Sequence, residues 1–186
     1  MDRIILASAS PRRKQLLEWA EIPFEVVPSD ADELIPEGMS IQEIPLFLAS
    51  QKSALVRKKL GTEKTILAAD TIVVLGDQVL GKPVDRADAV RMLMLLSGRI
   101  HDVITGVSIT NGKKETLFSE TTRVRFHPLD QSGIEHYVEH YRPYDKAGAY
   151  AIQEWIGVTG IQSIEGDFYN VMGLPVSRVL QELQGF

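Results

Sequence analysis

Leu6-Ala7-Ser8-Ala9-Ser10-Pro11-Arg12-Arg13 joins two different patterns. Before it, Arg3-Ile4-Ile5-Leu6-Ala7 reads as a short buried strand, and Pro11 to Glu18 reads as the first turns of a helix. Ser10 suits an N-cap. Pro11 suits the first helical position, because the N–H that proline lacks is one the start of a helix leaves unpaired. A strand turning sharply into a helix presents backbone N–H groups at the positive end of the helix dipole, where an anion binds. Ser8, Ser10, Arg12 and Arg13 add two hydroxyls and two guanidiniums there. Arginine pairs bidentately with phosphate oxygens, so the stretch points to a phosphorylated ligand. Taken alone, the same residues also describe a capped surface helix with solvated charges. Cations in a first turn cost roughly 0.3–1 kcal/mol each against the dipole, which asks for another reason for them.

Working outward, the first helix is expected to run to about Ala20, with Leu16, Leu17 and Trp19-Ala20 on its buried side. Phe24–Val27 is a short strand, followed by an acidic loop over Ser29–Leu34. Its carboxylates read first as solvated charge, but Glu33 is kept as a candidate cation ligand. Ser40-Ile41-Gln42-Glu43 has capping-box spacing and opens a helix to about Leu60, which begins nearer Glu43 or irregularly because of Pro45. Leu48, Leu55, Val56 and Leu60 form its apolar stripe, with Lys52 among them; lysines usually snorkel to the surface. Thr65–Leu75 is the most strand-like piece of the chain, turned by Gly76-Asp77 into Gln78–Gly81. Asp70 lies inside that apolar run, where a carboxylate is costly unless paired or bound to metal, and Lys82 follows the hairpin.

Asp85 caps a third helix that Gly98 ends. Val103–Thr110 and Glu115–Phe126 are long strands joined by Asn111-Gly112, a strong hairpin signal. A helix over Gln131–Tyr141 carries His136 and His140. Their spacing could ligate zinc, but Tyr137 stands where a zinc protease has its glutamate, so surface histidines are the better account. Small residues fill Tyr144–Gln153, which suits either close approach to a ligand or a tight crossing of backbone. Val158–Ile164 is read as the last strand, and Pro175 opens a C-terminal helix. The sequence has no Walker or dinucleotide fingerprint, no Ser-His-Asp arrangement and no internal repeat.

The 186 residues form one domain, or two small lobes sharing a core, of ordinary globular composition. No cysteine occurs, which removes disulfides and thiol chemistry and suits a reducing cytosol. No signal peptide is expected behind Met1-Asp2-Arg3, and no run approaches a membrane span. A net charge of −5 argues against nucleic-acid binding. An acidic chain that binds a polyanion has to gather its cations in one place, or bring a metal. Arg12, Arg13, Lys52 and Lys82 with Asp70 and Glu33 are the inventory that phosphoryl chemistry asks for.

Four blocks occur in order: Leu6–Arg13; Ala69-Asp70-Thr71 with Gly81-Lys82-Pro83; Asp145-Lys146-Ala147-Gly148-Ala149-Tyr150 through Gln153; and Val171-Met172-Gly173-Leu174-Pro175. In this the chain closely resembles the Maf family of nucleoside triphosphate pyrophosphatases, historically named septum-formation inhibitors. The resemblance spans essentially the whole chain. It implies an α/β fold with an elongated mixed β-sheet, flanking helices and a central cleft, similar to the inosine triphosphate pyrophosphatases. Residues 1–186 would be a single Maf-like domain with two lobes around that cleft.

The resemblance also implies metal-assisted hydrolysis of a nucleoside triphosphate to monophosphate and pyrophosphate, with a divalent cation (Mg or Mn) as cofactor. Ser8, Arg13, Lys52 and Lys82 would bind the phosphates. Asp70 would be the catalytic proton acceptor, and Asp70 with Glu33 would hold metal. An acid among cations is a poor base, so Asp70 is expected to act mainly by holding metal and orienting water. Arg12, Thr71 and Gln153 occupy the places where base preference differs, and match the branch acting on dTTP and UTP. A glutamine amide offers one donor and one acceptor, as N3–H and a carbonyl of uracil or thymine require, though flipped it also suits cytosine.

The expected protein is thus a cytoplasmic, house-cleaning dTTP/UTP pyrophosphatase with a nucleoside triphosphate as its partner, neither nucleic acid nor membrane, and a homodimer left open. The alternatives are a non-catalytic nucleotide-binding regulator of septum formation and a pyrophosphatase for another base, such as 7-methyl-GTP.

Overall fold

The strand-to-helix turn at Ser8–Ser10 forms as its residues dictate. The computed structural model describes residues 2–29, 34–61 and 63–186. In chain order the elements are β1 (Ile4–Leu6), α1 (Pro11–Trp19), β2 (Phe24–Val26), α2 (Ile44–Leu60), β3 (Ile66–Leu75), β4 (Gln78–Leu80), α3 (Arg86–Leu96), β5 (Ile100–Thr110), β6 (Glu115–Phe126) and α4 (Gln131–Tyr141). A 3₁₀ turn at Ala147–Ala149 follows, then α5 (Trp155–Gly160), β7 (Ile161–Glu165), α6 (Phe168–Met172) and α7 (Val176–Leu183). The strands form a mixed seven-stranded sheet in the order β2-β1-β3-β5-β6-β7, with β4 paired to β3.

The chain divides into two compact units: Met1–Thr71, Thr105–Glu120 and Gly173–Phe186 in the first, Ile72–Ile104 and Thr121–Met172 in the second. In the first, β1 pairs in parallel with β2 and with β3, where Leu6 stands opposite Leu67. Ile5, Ala7, Val56, Ile66 and Ala68 pack together in its core. Asp70 and Thr71 lie beyond the last paired residue of β1, outside the carboxyl end of a parallel strand, where open α/β sheets bind ligands.

Helix α2 starts at Ile44, after the capping box: Ser40 donates its backbone N–H and its hydroxyl to the Glu43 carboxylate, at 3.2 and 2.6 Å. Pro45 therefore sits in the first turn, where it is tolerated. The buried face is Ile44, Pro45, Leu48, Ala49, Ser53 and Val56. Leu55 and Leu60 are exposed, at 40% and 41%, and Trp19 at 58%, so these three expected core residues lie outside it. Ser53 and Ser108 hydroxyls meet at 2.8 Å, and Arg57 Nη2 donates to the Thr110 carbonyl at 2.6 Å, fixing the helix to β5 on the turns around Lys52. Its backbone also lies directly on Gly106, where an added Cβ would stand 2.2 Å from the Pro45 carbonyl carbon.

The second unit holds the remaining helices apart from α7. The expected strand over Val158–Ile164 is instead α5 followed by β7. A tight local turn overrides the β-propensity of Val158 and Thr159: a Cβ on Gly157 would fall 1.8 Å from the Ile152 carbonyl oxygen, so the chain closes tightly there before it extends. The His136 and His140 ring centroids lie 4.2 Å apart with the rings tilted by 31°, and among the described residues no group of three His, Asp or Glu is placed to hold a metal.

His101, Phe126 and Tyr150 form a ring cluster, with His101 Nε2 and the Tyr150 hydroxyl sharing a 2.7 Å hydrogen bond. Burial holds the imidazole well below its ordinary range, down to about 4, and pushes the phenol up, so both are neutral at pH 7. The unfolded chain binds a proton at this histidine near pH 6.5, where the native one does not. The stability it carries is complete above about pH 6.5 and is lost as pH falls towards 4. Unfolding at pH 4 is expected to cost about 3 kcal/mol less than at pH 7 on this account. Denaturant titrations of the wild type and His101→Gln would check this, since the variant should lose that part of the slope.

Candidate active site

The site in the first unit begins with Ser10, which caps α1 by accepting from the Arg13 N–H at 3.4 Å. No acid stands in the first turn of that helix, so nothing in the turn offsets its dipole or its two arginines. The Ser8 hydroxyl oxygen accepts from the Ser10 N–H and from Arg13 Nη1, both at 3.2 Å.

Arg13 is the hub. Its Nε donates to the Gly173 carbonyl at 2.7 Å and its Nη2 to the Thr71 hydroxyl at 3.0 Å. All three guanidinium nitrogens thus have protein acceptors, and the plane of the fork is set before any ligand arrives. Thr71 in turn shares a 2.9 Å bond with Thr105 on β5. Gly173 reaches Arg13 because its φ of 118° turns the carbonyl, a conformation that side-chain-bearing residues rarely adopt. The Val171–Pro175 block therefore serves the first block of the chain.

Lys52 leaves α2 towards β3 and meets Asp70, with Nζ to Oδ1 at 2.5 Å. Each side chain is 12% exposed. The usual fate of a lysine, reaching out to solvent, does not hold here. The acid expected to be paired inside its strand is paired, by a cation from another element. Successive side chains of a strand leave opposite faces, so Asp70 goes to Lys52 while Thr71 goes to Arg13. Neighbouring residues of one strand thus hold a charge pair and a fixed guanidinium fork.

Arg12 is half-buried beside Arg13 on α1. Lys82 is exposed just after β4, and Gln153 is exposed on the turn before α5; both belong to the second unit. Glu33 lies outside the described residues. Sequence reasoning missed Thr105 and the Gly173 carbonyl. Only the glycine in the fourth block hinted at either.

Comparison with known proteins gives the chain its family. A family model described as Maf-like protein matches residues 3–186. A dTTP/UTP pyrophosphatase of Cytophaga hutchinsonii is 50% identical over 181 residues, covering 97% of this chain and 83% of that one. Another, from Bacteroides fragilis, is 46% identical over 183 residues, covering 98% and 95%. Among solved structures, a HAM1 protein from Coxiella burnetii aligns with 68% of this chain and 73% of its own, at 14% identity and a TM-score of 0.45. With a match that omits only its first two residues, the chain belongs to the Maf family.

Proposed function

We propose that the protein is a nucleoside triphosphate pyrophosphatase that acts on dTTP and UTP in the cytoplasm. The Arg13 fork, oriented by Ser8, Thr71 and Gly173, is the observation that carries the phosphate-binding part of this reading. The relatives' substrates support the choice of base. Among the described residues no helix is long and apolar enough to cross a membrane.

In the reaction, water adds to a phosphorus of the α–β anhydride and the bridging P–O bond breaks, giving a monophosphate and pyrophosphate. Ser8, Arg13 and Lys52 hold phosphate oxygens, and Asp70 acts mainly by orienting the water; the role of proton acceptor is assigned to it through the family resemblance. Lys82 is assigned to the phosphates, and Arg12, Thr71 and Gln153 to the choice of base, through the family resemblance. The donor set suits a hydrated hard cation: magnesium takes one or two carboxylates, keeps several waters and shares the substrate's phosphates. Asp70 would supply one carboxylate, and Glu33 is the candidate for another. A bound magnesium or manganese ion would supply positive charge for the phosphate oxygens.

The test is pyrophosphate release across a nucleotide panel with magnesium or manganese. Faster release from dTTP and UTP than from ATP or GTP is expected; binding without release over hours would overturn the reading. Arg13→Lys replaces a planar fork with one ammonium that cannot span its three acceptors. Steady-state kinetics should show KM for dTTP rising about tenfold, the loss of roughly one charge-assisted bond.

A further inference from the structure

Gln153 sits in the second unit on a turn whose other members are buried or hydrogen-bonded. Tyr150, Ala151 and Ile152 before it are buried, and Gln153 itself is exposed. Glu154 after it begins α5: its carbonyl accepts from the Gly157 and Val158 N–H groups at 2.9 and 3.2 Å. The turn closes on itself through a 3.1 Å bond from the Glu154 N–H to the Ala151 carbonyl.

Ala151 and Glu154, which bracket Ile152 and Gln153, meet at one atom, the hydroxyl of Tyr137 on α4. That oxygen accepts from the Ala151 N–H at 3.1 Å and donates to Glu154 Oε2. Tyr137 is among the largest fully buried side chains of the protein. The other carboxylate oxygen of Glu154 faces the buried Lys146 at 3.6 Å, and Lys146 also bonds Asp145 at 2.8 Å. The phenol thus touches the residues on both sides of Gln153 and leaves the amide between them free to face a ligand.

We propose that Tyr137 is a positioning residue for base recognition, acting through Ala151 and Glu154 to fix the turn that presents the Gln153 amide. The proposal rests on the reading of Gln153 as the residue that meets the base. The physical reason is that an amide has one donor and one acceptor end. It separates one base from another only if its backbone cannot swing to offer the opposite end, or step back and admit water.

The experiment compares kcat/KM for dTTP with that for GTP, with magnesium, in Gln153→Ala, Tyr137→Phe and the double variant. Tyr137→Phe keeps the ring and removes the hydroxyl. Each single variant is expected to narrow the dTTP-to-GTP ratio about tenfold, chiefly through KM for dTTP, and the double variant to narrow it no further. A general loss of fold stability would lower both activities together and leave the ratio alone. An altered ratio in Gln153→Ala with an unaltered one in Tyr137→Phe, or independent effects that multiply in the double variant, overturns the clamp. An unaltered ratio in Gln153→Ala overturns the base-reading assignment and the proposal with it. If Tyr137→Phe does not fold, Glu154 decides. Glu154→Gln keeps an acceptor for the phenol and should hold the ratio within about twofold, whereas Glu154→Ala should narrow it. Equal ratios in those two variants overturn the proposal.

Discussion

Asp70→Asn is expected to lower kcat for dTTP about a thousandfold while KM moves by less than about threefold. The substitution keeps size and shape and leaves an amide oxygen for the Lys52 ammonium, which now stands 2.5 Å from the carboxylate. What it removes is the negative charge that orients water and would hold metal. That charge matters more in the transition state than in the bound ground state, so the loss should fall on kcat. Arg13→Lys should do the reverse, because the fork holds the phosphates before and during reaction. Lys52→Met is the companion variant. It strands a carboxylate that is largely buried, and breaking such a pair from one side costs about 3–5 kcal/mol. It should therefore lose stability as well as activity, and more stability than Asp70→Asn, which keeps an acceptor oxygen for the ammonium though not its counter-charge. A fully active Asp70→Asn enzyme would remove the acid from the mechanism.

The second large effect is structural. Gly106→Ala is expected to destabilise the fold by about 3 kcal/mol, or about 6–12 °C in Tm. The added methyl would stand 2.2–2.4 Å from three backbone atoms of Pro45 and Leu46, and backbone cannot step aside as a flexible side chain can. The only relief is to lift the start of α2 from β5. Lys52 lies on the same helix, so pyrophosphate release should fall with stability. Gly81→Ala is the control: nothing lies within 4 Å of its added Cβ, and its Tm should stay within about 2 °C of wild type. Calorimetry on the two variants separates the cost of the contact from any general cost of replacing glycine.

What the sequence revealed and what it hid divide along physical lines. The β1–α1 junction was legible because its signals are local: an apolar run, a serine cap and a proline at the first helical position act within a few residues. The Asn111-Gly112 hairpin was readable for the same reason. Asp70 stood out because a carboxylate inside an apolar strand demands a partner, and Lys52 proved to be that partner. Thr105 was invisible, since a threonine inside a β-rich run looks like any other strand residue. Gly173 serves through a backbone carbonyl, a group every residue has, and only its φ distinguishes it. The missed helix α5 has a similar cause. The decisive contact, between Gly157 and the Ile152 carbonyl, is one of backbone with backbone and leaves only a glycine in the sequence. Trp19, Leu55 and Leu60 were assigned to the core by helical spacing, but spacing gives a face and says nothing of whether another element covers it.

The bond from Arg13 to the Gly173 carbonyl spans 160 residues of chain. A ribosome that has threaded out the serines, the arginines and the whole of β3 has still not supplied the acceptor that locks the guanidinium. Truncated translation products that stop before residue 173 would thus carry every charged group of the phosphate fork and lack one of the three uncharged oxygens that aim it.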